Sequence, residues 1–452
     1  MIIAPMSAMA EDTCKCDTVP IIYVRGRATI LTDKDDPSSE TLPYVPDGFV
    51  ENALKELVPV YTKGYLTNDF SEFKALFTKY MAEAYKDFAL DNNGEIANNS
   101  GYKTEDYWKN NPIYDIHKPS NDVTTPEGAT NELYKYFYQY DCRLDPCSIA
   151  DDLHEYIQAV KEVTGHSRIK VLARCLGTTI LSAYLVEYGW EDIDDIVLYN
   201  PICFGTEVTN SLFNGEMHFD ADAVDFFANQ NLDESLPLTL LKEVITLSNK
   251  LNGLGMTMDY FNKTATKVAK YVTPDVMRVC YGTTPGYWSM VSADRFESAR
   301  DYIFEGVEEE YAGLIKKIND YHEKVGSKLT TLYKDIKADG VNVSIIAKYG
   351  YQLYPVVYNA DRQSDMIVTC EVSKLLKSRC VRERQSLKSP DRLVARDVSS
   401  SDRSTLLRAL IPENQSARDT GEIASANSTD TICSRTSYQG RTPLLWFHAY
   451  EF

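Results

Sequence analysis

Short apolar segments alternate with amphipathic helical segments between Tyr134 and Pro201, and this alternation restricts the possible folds more than any other feature of the chain. The segments "YKYFYQYD" from Tyr134, "RIKVLAR" from Arg168 and "DIVLYNP" from Asp195 are β-branched or aromatic and end at turn residues, as strands do. The stretches between them carry apolar residues at helical spacing. This order of strand, helix, strand, helix and strand predicts a parallel sheet with right-handed crossovers.

Two more segments are predicted to be strands of the same sheet, "PIIYVRG" from Pro20 and "VNVSIIAKYG" from Val341. In the first connecting helix Ser148 is a candidate cap and Gly165 a stop. The predicted buried faces of the two helices are Ile149, Leu153, Ile157, Val160 and Val163 in the first, and Ile180, Leu181, Tyr184 and Leu185, ending at Gly189, in the second. The predicted fold class is therefore α/β, with a mostly parallel sheet and crossover helices.

The chain has 452 residues and a formal net charge of −19, which argues against nucleic acid or an anionic membrane surface as the main partner because phosphates would be repelled. No run of 18 or more apolar residues occurs, so we expect no transmembrane span. No metal or nucleotide motif is visible, and we expect no cofactor. The oligomeric state is left open.

The N-terminus indicates export. An apolar stretch in residues 1–10 ends in Ala8-Met9-Ala10, a pattern typical of signal-peptide cleavage, and a polar segment follows from Glu11. Residues 1–10 are a candidate signal-peptide remnant, with an ordinary N-terminus as the alternative. The ten cysteines fit a secreted or extracytoplasmic protein better than a cytosolic one, and Cys14–Cys16 and Cys142–Cys147 are possible local disulfides.

The sheet is interrupted by long insertions. Residues 11–203 contain its first part, residues 204–340 are helical and amphipathic, and residues 341–372 return to the sheet. The helical insertion is predicted to cap a substrate site, with simple helical packing as the alternative. The connection from Asp33 to Thr125 is expected to fold over the same edge.

Residues 373–452 differ in composition from the rest of the chain. They contain 10 Arg against 9 in the preceding 372 residues, 13 Ser, and 2 of the 31 Tyr. Two explanations compete: a poorly structured Arg/Ser-rich tail, or a reading-frame change that replaced the original C-terminal sequence.

The segment "ARCLG" has the outline of a nucleophile elbow centred on Cys175, with an apolar strand before it and a helix after it. Such an elbow needs small residues two positions before and two after its centre, and these are Ala173 and Gly177. A thiolate is a strong nucleophile, and a helix N-terminus together with Arg174 would favour it. The alternative is an ordinary buried thiol.

Several segments together resemble α/β-hydrolases of the lipase and lecithin:cholesterol acyltransferase-like branch, over roughly residues 20–370. The segment "PIIYVRGRAT" is similar to the strand and loop that supply oxyanion donors in that group, and "ARCLG" is similar to its G-H-S-L-G elbow. "YQYDCRLDPCSIADDLHEYIQAVKEVTG" resembles its aromatic strand, Asp-Trp-Arg, Asp-Pro and helix, with Cys142 in place of Trp. "QSDMIV" resembles its acid loop.

The resemblance implies roles for particular residues. Cys175 would be the nucleophile and Asp365 the triad acid, with Asp361 as a local rival. In these hydrolases the histidine follows the acid in the chain, and His448 is the candidate that remains. The backbone N–H groups of Leu176 and Arg27 would form the oxyanion hole.

The other histidines have positions that do not fit this order. His117 and His154 precede the elbow, and His166 lies in the turn before its strand. His218 and His322 lie in the insertion, and we interpret His322 as a solvated or hydrogen-bonded residue of an amphipathic helix.

Two functional hypotheses follow. The first is a hydrolase or acyltransferase that takes a small-molecule ester, thioester or lipid substrate through an acyl-enzyme on Cys175. The second is a catalytically inactive binding or surface protein of the same fold. A cysteine peptidase is disfavoured because no Cys-His-Asn pattern with the usual local signature is present.

Overall fold

A parallel sheet of six strands is the central element in the computed structural model. The structure describes residues 19–26, 31–33, 40–41, 49–97, 100–102, 135–218, 221–222, 225, 253–349, 353–354, 357, 364, 367–369 and 431–435. The strands in these ranges are β1 (Ile21–Val24), β2 (Leu31–Asp33), β3 (Glu40–Thr41), β4 (Ser100–Tyr102), β5 (Lys135–Tyr138), β6 (Ile169–Arg174), β7 (Ile193–Tyr199), β8 (Asn342–Tyr349) and β9 (Thr431–Arg435).

The large sheet has the order β5, β1, β6, β7, β8, β9, and every neighbouring pair is parallel. The five strands predicted from the sequence are all present, and the predicted α/β class is confirmed. Strand β9, from the compositionally distinct tail, extends the sheet beside β8. Strands β3, β2 and β4 form a separate small antiparallel sheet.

The helices in the described ranges fall into three groups along the chain. They are α1 (Phe49–Thr67), α2 (Ser71–Tyr85), α3 (Pro146–Thr164), α4 (Gly177–Tyr188), α5 (Glu207–Phe213), α6 (Gly253–Arg278), α7 (Pro285–Trp288), α8 (Ala293–Phe304), α9 (Ala312–Lys324) and α10 (Leu329–Ala338). Helices α1 and α2 follow β1, α3 and α4 are crossovers, and α5 to α10 belong to the insertion between β7 and β8. None of them is long and apolar enough to cross a membrane, as far as the described residues go.

Helix α3 begins earlier than the sequence predicted. Its cap is Asp145, whose carboxylate accepts a hydrogen bond from Cys147 N–H at 3.0 Å, and not Ser148, which lies within the first turn. Pro146 at the first helical position has a backbone already fixed for the helix, which favours this earlier start. The predicted stop is correct, since Gly165 adopts a left-handed conformation with φ 70°.

The buried faces of α3 and α4 agree with the pattern except at one residue. Val163 is 53% exposed, whereas the neighbouring Thr164 is buried and continues the stripe begun by Ile149. The apolar character of Val163 suggested burial, but its angular position lies outside the stripe. In α4, Ile180, Leu181, Tyr184 and Leu185 are all buried, as predicted.

The chain reverses its direction across the sheet at β1. It passes from β1 to β5 on one side, crosses back to β6 on the other side, and then continues outward to β7 and β8. The reversal creates a switch point between β1 and β6, and in open α/β sheets ligands bind beyond the carboxyl ends of the strands at such a point. Residues Arg25, Gly26, Arg174 and Cys175 lie there.

The insertion shares its hydrophobic core with the sheet. One continuous cluster of buried side chains includes Val171 of β6, Ile180 of α4, Trp288 of α7 and Leu332 of α10. Trp288 is fully buried, and its Nε1–H donates to Gly282 O at 2.8 Å. The described helices of the insertion are therefore packed onto the sheet through a common core.

The predicted Cys142–Cys147 disulfide is wrong. Both residues are thiols in the structure. Cys142 is fully buried in the loop after β5, while Cys147 lies in the first turn of α3, where the helix fixes its backbone. Cys14 and Cys16 lie outside the described residues.

A buried ion pair fixes the loop after β5. Arg143 donates to both carboxylate oxygens of Asp141, and both side chains have no exposed surface. The Nη1 group of Arg143 also donates to the backbone oxygens of Asp87 and Phe88 at 3.1 and 3.2 Å, while Gly286 N–H donates to Arg143 O at 3.1 Å. The pair thus connects the sheet to the segment after α2 and to α7.

Removing one member of this pair is expected to destabilise the protein strongly. In Arg143→Met, the Asp141 carboxylate stays buried without its partner, and the free energy of unfolding should fall by about 3–5 kcal/mol in urea denaturation. The control is Lys86→Met, which removes an ion pair with Glu83 whose side chains are 60% and 61% exposed. That change should leave the free energy of unfolding close to the wild-type value because the pair is exposed to solvent, and equal losses in the two variants would contradict the role given to Arg143.

Candidate active site

Cys175 occupies a strained turn between β6 and α4. Its φ is 49°, a left-handed conformation that residues with a Cβ adopt rarely. The strand ends at Arg174 and the helix begins at Gly177. The strand, turn and helix predicted around Cys175 are therefore present, and the thiol is partly exposed.

The end of β1 packs directly against this turn. A Cβ added at Gly177 would lie 2.5 Å from Arg25 O and 2.6 Å from Val24 O, which is closer than real contacts allow. A Cβ at Gly26 would lie 3.2 Å from the Cβ of Cys175. Glycine at 177 is thus required by the approach of one backbone to another, and the loop after β1 lies against the nucleophile candidate.

Backbone hydrogen bonds hold the turn from both sides. Cys175 N–H donates to Tyr199 O at 2.9 Å, which ties the turn to the end of β7. Cys175 O accepts from Thr178 N–H at 3.0 Å and from the Thr178 hydroxyl at 2.6 Å. The polar backbone groups of Cys175 are therefore engaged.

Of the two candidate oxyanion donors, Leu176 lies in the described part of the chain and Arg27 does not. Leu176 is buried immediately before α4, and no atom of the described residues accepts a hydrogen bond from its N–H. The first N–H groups of a helix generally lack partners within the helix, and the N–H of Leu176 follows this rule. Arg27 lies outside the described residues. Its neighbour Arg25 is exposed, and its N–H donates to Tyr138 O at 3.1 Å.

Arg174 places a positive charge beside the thiol. Burial lowers the pKa of this guanidinium, but the Tyr23 phenol and the Cys175 thiol favour the charged form and raise the pKa above its ordinary value overall. The guanidinium also lies over the Tyr199 ring, 5.9 Å from its centre. A permanent positive charge next to Cys175 favours a thiolate there.

The remaining triad candidates, Asp365, Asp361 and His448, lie outside the described residues, as does His117. Ser364, which precedes Asp365, is described: it is buried and forms an antiparallel bridge with Thr369. The Thr369 hydroxyl donates to Glu207 Oε1 at 2.6 Å.

The described histidines differ in their surroundings. His322 is buried and hydrogen-bonded, the second of the two expected arrangements, and it is not solvated. Its Nε2 is 3.0 Å from Trp288 O, and its ring stacks on that of Phe296 with ring centres 3.8 Å apart. Its Nδ1 has no hydrogen-bond partner among the described residues. His154 stacks on Tyr188 with ring centres 4.0 Å apart, whereas His166 is buried and His218 is partly buried.

Two residues that follow the carboxyl ends of β6 and β7 were missed in the sequence. Glu207 begins α5, and its Oε2 is buried without a hydrogen-bond partner in the described part of the chain. Its position shortly after a parallel strand could have indicated it, because the carboxyl ends of such strands meet at one edge. Thr178, fully buried, had no comparable signal.

A surface groove lies between α8 and α9. Its lining includes Arg300, Asp301, Phe304 and Lys316, so both charge signs are present, and no residue of the elbow contributes to it. Across the described ranges, no three His, Cys, Asp or Glu side chains are grouped so that they could hold a metal ion.

The fold defines the general structural class of the protein. The molecule is a parallel-sheet α/β protein, and this fold is consistent with an α/β-hydrolase. No protein-family model matches the chain, and no curated protein is detectably similar to it in sequence. A solved structure, "The crystal structure of Tle4-Tli4 complex", overlaps 73% of this chain and 74% of the matched chain at 12% identity, with a TM-score of 0.30. Values this low establish neither a shared fold nor a shared function.

Among the described thiols, Cys175 is expected to react fastest with iodoacetamide. Burial raises the pKa values of Cys147, Cys203 and Cys280 to about 12, and Cys142 is fully buried. The raised pKa values keep Cys147, Cys203 and Cys280 protonated at neutral pH, and burial shields Cys142, Cys203 and Cys280 from the reagent. Cys147 and Cys175 are both partly exposed, and Arg174 favours the thiolate at Cys175. Peptide mass mapping after brief labelling of the native, reduced protein measures the order. Labelling of Cys203 before Cys175 would contradict the elbow interpretation.

His322 should make the protein sensitive to mild acid. Burial lowers its pKa from 6.5 to about 4, although the bond to Trp288 O acts in the opposite direction. As the pH falls from about 6.5 to about 4, the unfolded chain therefore binds a proton that the folded chain does not. The free energy of unfolding should fall across this window by up to roughly 3 kcal/mol. Below about pH 4 both states are protonated at His322, so this residue should cause no further loss of stability.

Urea denaturation between pH 7.5 and 4 measures this effect in the wild type and in His322→Gln. The variant should lose correspondingly less stability on acidification, while His218→Gln, at a partly buried site, should follow the wild type. Identical pH profiles for wild type and His322→Gln would show that the buried ring does not titrate as described.

Proposed function

We propose that this protein is an exported hydrolase or acyltransferase of the lipase and lecithin:cholesterol acyltransferase-like branch, with Cys175 as its nucleophile. The observation that carries the proposal is the left-handed backbone of Cys175 at the switch point of the sheet. A residue with a Cβ is held in such a conformation only when the surrounding structure requires it, and such strain is typical of functional sites.

The proposed reaction uses the thiol as a nucleophile and His448 as the base. Cys175 gives its proton to His448, and its sulfur attacks the carbonyl carbon of an ester. The developing oxyanion accepts hydrogen bonds from Leu176 N–H and Arg27 N–H, while Asp365 orients the histidine. The C–O bond then breaks, and the leaving alkoxide takes the proton from His448. Water or an acceptor alcohol, deprotonated by the same histidine, attacks the thioester and releases Cys175.

The insertion supports an ester or lipid as the substrate. It begins just after the carboxyl end of β7, and its helices share an apolar core with the sheet. Amphipathic helices whose apolar faces lie beside the carboxyl edge of the sheet suit acyl chains better than strongly charged substrates. The net charge of −19 is consistent with a neutral substrate.

The proposal is tested by incubating the full chain with p-nitrophenyl butyrate. We expect one butyryl group on Cys175, detected by intact mass and peptide mapping, and continuous release of p-nitrophenol. Cys175→Ala should lose both signals because it lacks the sulfur. Cys280→Ala, which removes a buried thiol of the insertion, should keep both.

The variant His448→Ala separates the possible outcomes. Loss of turnover comparable to that in Cys175→Ala, and no further loss in the double variant, would support a triad, since its members act as one unit. A single slow acylation without turnover in the wild type would identify a chain that lacks its base. Failure of Cys175 to accept any acyl group would favour the inactive binding protein, and turnover in Cys175→Ala would reject the nucleophile.

A further inference from the structure

Thr178 makes three hydrogen bonds through one hydroxyl, and it is fully buried in the first turn of α4. The hydroxyl donates to Cys175 O at 2.6 Å. It accepts from the backbone N–H groups of Ile202 and Cys203 at 3.2 and 3.3 Å. One side chain thus joins the strained turn to the loop that follows β7.

A hydroxyl group is suited to this arrangement because it has one donor and two acceptor sites. All three are used here, and the bonds lie in a buried environment where an unsatisfied group is costly. Valine has nearly the same shape but none of these sites. Its presence at position 178 would leave two buried N–H groups without an acceptor.

The next residue provides an internal comparison. Thr179 is also fully buried, and its hydroxyl donates to Leu176 O at 2.9 Å, three residues back, as the Thr178 hydroxyl does to Cys175 O. Within the described residues its hydroxyl makes no hydrogen bond to the loop after β7, whereas that of Thr178 makes two. The two threonines therefore share burial and local bonding, and they differ in the long-range connection.

A second contact extends the connection from Thr178 into the insertion. The Ser182 hydroxyl donates to Thr178 O at 2.7 Å, and it lies 2.9 Å from the Tyr333 hydroxyl on α10. Thr178 is thereby held from the side opposite the elbow, so its own position is well defined.

We propose that Thr178 is a positioning residue for the Cys175 nucleophile. It holds the carbonyl of Cys175 and the loop of Ile202 and Cys203 in one fixed arrangement, which keeps Cys175 in its left-handed conformation with the sulfur at the switch point. This inference rests on the proposed function, because it assigns to Thr178 the task of orienting that nucleophile.

The test compares alkylation of Cys175 by iodoacetamide, from pH 6 to 9, in the full-length wild type and in Thr178→Val, Thr178→Ser and Thr179→Val. In Thr178→Val the rate constant should fall roughly five- to tenfold, as expected for a lost buried hydrogen bond, and the pH profile should move toward that of an ordinary thiol. Thr178→Ser keeps the hydroxyl and should restore the wild-type profile. Thr179→Val should leave the profile unchanged.

Urea denaturation of the same variants separates positioning from folding. If Thr178→Val unfolds, Thr178→Ala is measured in its place, because a smaller side chain lets water reach the two amides. If neither variant folds while Thr179→Val does, the hydroxyl is structural and the positioning role is rejected. A wild-type rate in folded Thr178→Val also overturns it, with the proposed function untouched, whereas a Cys175 that is unreactive in the wild type overturns both.

Discussion

The contact between the first residue of α4 and the end of β1 is the constraint on which the site depends. Gly177 meets the carbonyl oxygens of Val24 and Arg25 so closely that any Cβ would force the helix away from the strand. With the helix at this distance, the turn before it must be tight, and Cys175 adopts a left-handed backbone. The position of the thiol, the orientation of Leu176 N–H and the proximity of Gly26 all follow from this approach.

A buried polar framework surrounds this contact and stabilises it. Arg143 and Asp141 fix the loop after β5, Thr178 fixes the loop after β7, and Cys175 N–H is bonded to the end of β7. Each of these groups would be costly to bury without a partner. Arg143 and Thr178 also bond segments that are distant in the sequence, at Asp87 and Ile202 respectively. The polar contacts therefore specify one arrangement of loops at the carboxyl edge, while the apolar core supplies the general driving force for folding.

Five of the six strands of the large sheet could be predicted because they are short, β-branched or aromatic and bounded by turn residues, and because helical periodicity separates β5, β6 and β7. Strand β9 was not predicted. The elbow could be predicted from Ala173, Cys175 and Gly177, since small residues are needed wherever backbones approach closely. Two details of α3 could not be predicted. Asp145 and Ser148 can both cap a helix, and Asp145 does so here; Val163 is exposed although it is apolar, because its position around the helix axis lies outside the buried stripe. Some hydrogen bonds join segments that are far apart in the sequence, and no periodic pattern indicates them. They are the bonds of Thr178 with Ile202 and Cys203 and the bond of Arg143 with Asp87. The roles of Arg27, Asp365 and His448 remain predictions because these residues lie outside the described part of the chain.

The central position of β1 has a consequence for the order in which the site can assemble. This strand is the first of the large sheet to be synthesised, yet its two neighbours, β5 and β6, come more than a hundred residues later in the chain. Such non-local pairing is slow, because the entropy of closing a long loop is lost before any contact forms. The left-handed turn at Cys175 requires β1, β6 and β7 together. The thiol therefore reaches its final geometry only after β7, which ends at Tyr199, has been synthesised, and until then the nascent chain carries a cysteine that is not yet oriented for reaction.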